Sequence, residues 1–233
     1  ASESPRLYRE RVTLLEGWFK QKSAASSVNG LFLNNVNLHE HQLSIVRRVT
    51  EDRCRRYLLA DEVGLGKTIE AGALIKQRLE EQPNSTVLVL VPKHLQGQWV
   101  SELRQKFGIA IGVGSVRVLP QENPEDWPAE SFDVIVLDEA HHMTRTGSLP
   151  EETISQFIKL AHSAEELYLL SATPVRSNEP GFLDLLHFLD PVHYPRDEDG
   201  LKDFLQVVEA RSEVTSKYIA LGIELEDFEV EDI

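Results

Sequence analysis

The sequence predicts an α/β domain, a mostly parallel sheet with helices on both faces, and two stretches carry that prediction. The first is Tyr57-Leu58-Leu59-Ala60-Asp61-Glu62-Val63-Gly64-Leu65-Gly66-Lys67-Thr68, which reads as a short apolar strand, a glycine-containing loop and a helix opening at Lys67. The second is Asp133-Val134-Ile135-Val136-Leu137-Asp138-Glu139-Ala140-His141, an unbroken apolar run closed by two adjacent acids. A run of that kind suits a strand buried on both faces. Open sheets of this class bind ligands at the carboxyl ends of their strands, where both stretches place their polar residues.

Composition narrows the class. With 233 residues, 41% of them hydrophobic, the chain fits one large α/β domain with appendages. No apolar run approaches a membrane span, and no secretory signal is present, although a start without Met points to an excised piece. The single cysteine, Cys54, excludes an intramolecular disulfide and fits the reducing cytoplasm. A net charge of −14 argues against a strong stand-alone nucleic-acid binder, while leaving room for local phosphate contacts.

Residues 1–35 contain Leu7, Val12, Leu14, Leu15, Trp18 and Phe19, which suit an amphipathic helix from about Pro5 to Lys22, followed by a Ser- and Gly-containing loop. Packing of that helix on the core is the favoured reading over a docking arm. A second helix opens near Leu38 and carries Leu43, Ile45, Val46 and Val49. The cluster Arg47, Arg48, Arg53, Arg55 and Arg56 reads as a solvated, locally paired face.

The Tyr57–Thr68 stretch has the geometry a phosphate-binding loop needs. Gly64 and Gly66 let backbone N–H groups converge on an anion without obstruction by a Cβ. The helix N-terminus adds partial positive charge. Lys67 reaches β- and γ-phosphates, and Thr68 offers its hydroxyl to Mg²⁺. The general pattern G-x-x-x-x-G-K-[ST] asks for glycine where this chain has Asp61.

Thr86 to Val91 reads as a buried strand closed by Pro92, with Lys93, His94 and Gln96 in the following loop and helix start. Trp99 in that helix is expected to be a core anchor. Val116 to Leu119 is a further short strand, and Glu122 to Glu130 an acidic connection. In the second stretch, Asp138 is suited to hold Mg²⁺ and Glu139 to polarise an attacking water. Arg145, just beyond, is a candidate phosphate contact. Thr153 to Leu160 reads as a helix, Leu167 to Leu170 as a strand, and Phe182 to Leu189 as an amphipathic helix ending at Asp190-Pro191. Leu201 to Leu221 is expected to be helical, with an acidic, solvated end.

Asp61-Glu62-Val63-Gly64-Leu65-Gly66-Lys67-Thr68 closely resembles motif I of SNF2-family ATPases, in which Asp replaces the first glycine of the general pattern. Asp138-Glu139-Ala140-His141 resembles motif II, and Ser171-Ala172-Thr173-Pro174 motif III. Leu58 to Ala71, with Gln98-Trp99, is most similar to the RapA (HepA) branch of bacterial RNA-polymerase-associated SNF2 proteins. The resemblance covers roughly residues 36–192. It implies a RecA-like P-loop lobe over 36–192, an N-terminal helical arm over 1–35 and a C-terminal helical extension with an acidic tail over 193–233.

The resemblance further implies ATP and Mg²⁺ as cofactors, held by Asp61, Gly64, Leu65, Gly66, Lys67 and Thr68, with Gln42 reading the adenine edge. It implies Lys67 and Glu139 as catalytic groups, and Thr68 and Asp138 as metal ligands. His141, Ser171 and Thr173 are implied to couple the nucleotide state to a DNA strand, and Lys93 and His94 to contact it. The function implied is the ATP-binding lobe of a DNA-dependent ATPase that translocates on double-stranded DNA and remodels a protein–DNA complex. Its partners are duplex DNA, a second RecA-like lobe, and RNA polymerase or a defence or modification complex. No Gln-x-x-Gly-Arg-x-x-Arg segment is present, so this chain by itself is expected to be nearly inactive. An RNA helicase of the same superfamily and an interaction module with a residual ATP site stand as the alternatives.

Overall fold

The computed structural model describes residues 40–60, 66–112, 115–171 and 178–220. The expected N-terminal helix, loop residues Asp61, Gly64 and Leu65, motif III residue Thr173 and the acidic tail lie outside them. In chain order the elements are α1 (Glu40–Glu51), β1 (Arg56–Leu59), α2 (Lys67–Glu81), β2 (Val87–Val91), α3 (Gln96–Phe107), β3 (Val116–Pro120), β4 (Val134–Leu137), α4 (Glu151–Ser163), β5 (Glu166–Leu170), α5 (Glu179–Leu189) and α6 (Glu198–Ala220). Short 3₁₀ turns at Lys93–Leu95 and Ala140–Met143 follow β2 and β4.

The strands form one sheet in the order β1-β5-β4-β2-β3, and every pairing is parallel. β2, β4 and β5 are buried at every position, as continuous apolar runs require when both faces of a sheet are covered. Alternate residues serve alternate faces. Val87, Val89, Val91, Val134, Val136, Tyr168 and Leu170 pack into one core with Val46, Val49, Leu74, Ile75, Trp99 and Leu103 from α1, α2 and α3. Leu88, Leu90, Ile135, Leu137, Leu167 and Leu169 pack into the other with Ile154 and Phe157 of α4 and Leu185 and Phe188 of α5. The result is a three-layer α/β structure, as the sequence predicted. Close helix packing in the first layer depends on Gly72, where a Cβ would lie 2.3 Å from the Phe107 ring.

The arginine cluster departs from expectation. Arg47 does lie on an exposed face, paired with Glu51, but Arg55 and Arg56 point inward. Arg56 donates from its guanidinium to the carbonyls of Ala161, Ala164, Phe188 and Leu189 at 2.7–3.0 Å. It therefore satisfies the last carbonyls of α4 and α5 together and fixes both helix ends to β1. At the amino ends of the strands Arg78 and Arg55 share buried Glu166, which also accepts from the Tyr168 hydroxyl. Arg56→Lys is expected to destabilise the fold by about 2 kcal/mol, because one ammonium cannot serve four carbonyls spread around a planar fork. Urea unfolding measures this, and an unchanged midpoint would show that Arg56 is dispensable there.

Candidate active site

The described site residues gather at the carboxyl edge of the sheet, where β1, β4 and β5 end. β1 runs toward the phosphate-loop segment, and α2 begins at Lys67. Gly66 caps α2 with φ 96° and ψ 28°, a left-handed conformation that glycine adopts without strain. Its carbonyl accepts from Ile69 N–H at 2.8 Å and Glu70 N–H at 3.1 Å, which starts the helical ladder. Gln42 of α1, buried to 3% exposure, lies against this point: a Cβ on Gly66 would sit 2.2 Å from its Nε2. The left-handed φ is what calls for glycine at position 66, and the residue implied as adenine reader is brought to the opening of α2.

Asp138 leaves the end of β4, its N–H bonded to Leu90 C=O at 2.9 Å. It is 7% exposed and held from three sides. The Trp99 indole N–H donates to Oδ2 at 2.7 Å and the Glu139 backbone N–H to Oδ1 at 2.9 Å. The Gln121 amide donates to the Asp138 carbonyl. Burial pushes the carboxyl above the usual range, opposed by the Trp99 and Glu139 N–H groups and by the Lys67 ammonium. That attraction places Lys67 and Asp138 in one electrostatic neighbourhood.

Glu139 has φ 44° and ψ 49°, and is the one described non-glycine residue with positive φ. A glutamate in this region is strained, and such strain gathers at functional sites. The turn it makes stops β4 and directs the Glu139 carboxylate beside His141, with Oε2 3.3 Å from Nδ1. The two lie close without the geometry of a directed hydrogen bond. Burial, with His142 next to it, holds the His141 imidazole below its ordinary pKa, so it is neutral at pH 7. Ser171 is fully buried at the end of β5 and donates its N–H to Leu59 C=O at 3.2 Å, joining the motif III segment to the strand that enters motif I.

The candidate DNA contacts divide. Lys93 and His94 are exposed on the turn after β2. The Lys93 backbone N–H, however, is already bound by the Glu122 carboxylate at 3.0 and 3.2 Å. Arg145 is spent inside the protein, in place of the expected phosphate contact. Its guanidinium donates to the fully buried Asp184 of α5 at 2.6 and 2.9 Å and to the Arg196 carbonyl at 2.9 Å, and its N–H also reaches Asp184. Arg196 completes the group, pairing with Asp184 and with Glu151 at the start of α4. A buried carboxylate needs such partners, so releasing Arg145 toward a nucleic acid would leave Asp184 with Arg196 as its one remaining cation among the described residues.

The donor chemistry fits Mg²⁺. Thr68 in the first turn of α2 and Asp138 supply oxygen donors alone, and no cluster of three or more His, Cys, Asp or Glu that could hold a metal ion occurs among the described residues. Mg²⁺ takes one or two protein oxygens and completes its shell with water and substrate phosphates. A cation beside Asp138 also offsets the desolvation of that carboxylate. The sequence missed two of these residues. Trp99 was legible only as bulk and Gln121 carried no signal, although a buried indole N–H usually finds an acceptor.

Residues 40–127 match the SNF2-related domain. The RNA polymerase-associated protein RapA of Histophilus somni is 31% identical over 233 aligned positions, which cover 86% of this chain and 24% of that protein. The chain belongs to the SNF2 family. Within it the chain is RapA-like: RapA of Proteus mirabilis is also 31% identical, over 79% of this chain and 21% of its own length. The chain thus spans about a quarter or less of these SNF2 relatives. The Sulfolobus solfataricus SWI2/SNF2 ATPase core in complex with dsDNA shares the fold, with a TM-score of 0.62 at 17% identity over 73% of this chain and 39% of that one. No described helix is long and apolar enough to cross a membrane.

Proposed function

We propose that this SNF2 chain is the ATP-binding lobe of a DNA-dependent ATPase that translocates on double-stranded DNA and remodels a protein–DNA complex. The observation that carries the reading is the meeting, at one sheet edge, of the α2 opening at Lys67 and Thr68 with the buried Asp138 and the strained Glu139. Gln42 orients the adenine through an amide that both donates and accepts. The α2 N-terminus and Lys67 hold the phosphates. Thr68 and Asp138 hold Mg²⁺, which supplies charge neutralisation at the β- and γ-phosphates when bound. Glu139 orients the water that attacks the γ-phosphorus in line and takes its proton. Neutral His141, beside Glu139, and Ser171, tied to β1, carry the nucleotide state toward the DNA track.

A second RecA-like lobe completes the motor in this reading, in a bacterial cytoplasm. RNA polymerase is the partner that the names of the RapA relatives point to. The S. solfataricus SWI2/SNF2 core is in complex with duplex DNA, which supports duplex DNA as the track here. The test is equilibrium binding of ATP and GTP to this chain with and without Mg²⁺, followed by ATP turnover of the longer protein with duplex DNA or RNA. ATP binding in preference to GTP, and turnover stimulated by duplex DNA, are expected. Absence of nucleotide binding, or stimulation by RNA alone, would overturn the proposal.

A further inference from the structure

The carboxylate of Asp138 is held by a residue from a different helix, 39 positions earlier in the chain. Trp99 lies on α3, directly after the exposed Lys93–Leu95 turn, and is 1% exposed. Its ring fills the core between α3 and the sheet, while its one polar atom, Nε1, donates to Asp138 Oδ2 at 2.7 Å. Packing alone does not require that pairing, since a phenylalanine fills such a space without presenting a donor. The other carboxylate oxygen receives the Glu139 N–H at 2.9 Å. Two donors on two oxygens fix the plane of the carboxylate and leave each oxygen a lone pair for a cation or a cation-bound water.

We infer that Trp99 is a positioning residue for Mg²⁺, its indole N–H setting the orientation of Asp138 and linking it rigidly to α3. The inference rests on the ATP and Mg²⁺ reading of the site and adds a residue outside the motifs that define it. It also supplies a physical path from the Lys93–Leu95 turn to the metal carboxylate: a shift of α3 carries the indole N–H with it. Gln121, which donates to the Asp138 carbonyl, steadies the backbone of the same residue.

The experiment compares this chain with its Trp99→Phe variant and with Leu103→Ala, which removes a fully buried side chain from the same helix without touching Asp138. ATP affinity is measured without divalent cation and across a Mg²⁺ titration. Trp99→Phe is expected to raise the Mg²⁺ concentration at half effect by about 10-fold or more, the usual consequence of losing a second-layer hydrogen bond, with metal-free ATP affinity unchanged. Leu103→Ala is expected to lower the melting temperature and leave the Mg²⁺ midpoint alone. A second readout is the ¹H–¹⁵N spectrum of the indoles, in which the resonance lost in Trp99→Phe is that of Trp99. In the parent chain that resonance is expected to move on addition of Mg²⁺ with ATP, while that of Trp127, bonded to the Pro120 carbonyl, stays put. Equal Mg²⁺ midpoints in parent and Trp99→Phe, equal shifts in both variants, or a stationary Trp99 indole would overturn the inference. Failure of the parent chain to bind ATP with or without Mg²⁺ would instead overturn the ATP reading on which it stands.

Discussion

Lys67→Ala is expected to abolish ATP turnover by the longer protein while the lobe keeps its fold. Lys67 is the first residue of α2 and only half-buried, so its side chain contributes little core packing. Alanine is also a better helix former than lysine. What is lost is a positive charge at the end of a helix whose partial charge points the same way. In the proposed reaction negative charge builds on the phosphate oxygens as the bond breaks, and Lys67 meets it in a partly desolvated place. Removing one such electrostatic contact costs about 10²–10³ in rate in other enzymes, and the loss of a full charge is expected to reach the upper end. Lys67 also attracts Asp138, so the mutation withdraws part of what offsets burial of that carboxylate. The measurement is steady-state turnover of parent and mutant beside their melting curves. A well-folded mutant with near-parental turnover would sink the assignment of this segment as the phosphate site.

Much of the fold was legible because its signals are local. Val87–Val91 and Val134–Leu137 are apolar at every position, and that alone identifies strands covered on both faces. The helix start at Lys67 follows from the glycine before it. What stayed hidden depends on sheet order, which no local pattern encodes. Trp99 meets Asp138 only because β2 and β4 are neighbours, although β3 lies between them in the chain. Arg56 reaches Phe188 and Leu189 across 132 and 133 positions, so its inward role could not be separated from the charged neighbours around it. The same holds for Arg145 and Asp184, 39 positions apart. The left-handed turn at Glu139 was invisible for a different reason: glutamate has no preference for that conformation, and only the surrounding structure imposes it.

Glu139→Gln should separate binding from chemistry. Glutamine keeps the length, branching and polarity of the side chain and is no less able to occupy the left-handed turn, so φ 44° and the Glu139 N–H bond to Asp138 Oδ1 are expected to survive. The change replaces an anionic oxygen, which accepts a proton, by an amide, which does not. General-base assistance is worth about 10²–10⁴ in rate, and turnover is expected to fall within that range. ATP affinity should hold or rise slightly, since one negative charge near the γ-phosphate disappears. The mutation also removes the charge facing His141 at 3.3 Å. That charge opposes the downward effect of burial on the imidazole. Its loss therefore lowers the His141 pKa further, and the ring remains neutral at pH 7 in both proteins. The rate loss accordingly belongs to Glu139 and not to a changed charge on His141. Pre-steady-state mixing with a fluorescent ATP analogue, followed by single-turnover hydrolysis, reads the two steps separately. Should nucleotide binding vanish together with turnover, Glu139 would hold the metal or the fold rather than the attacking water.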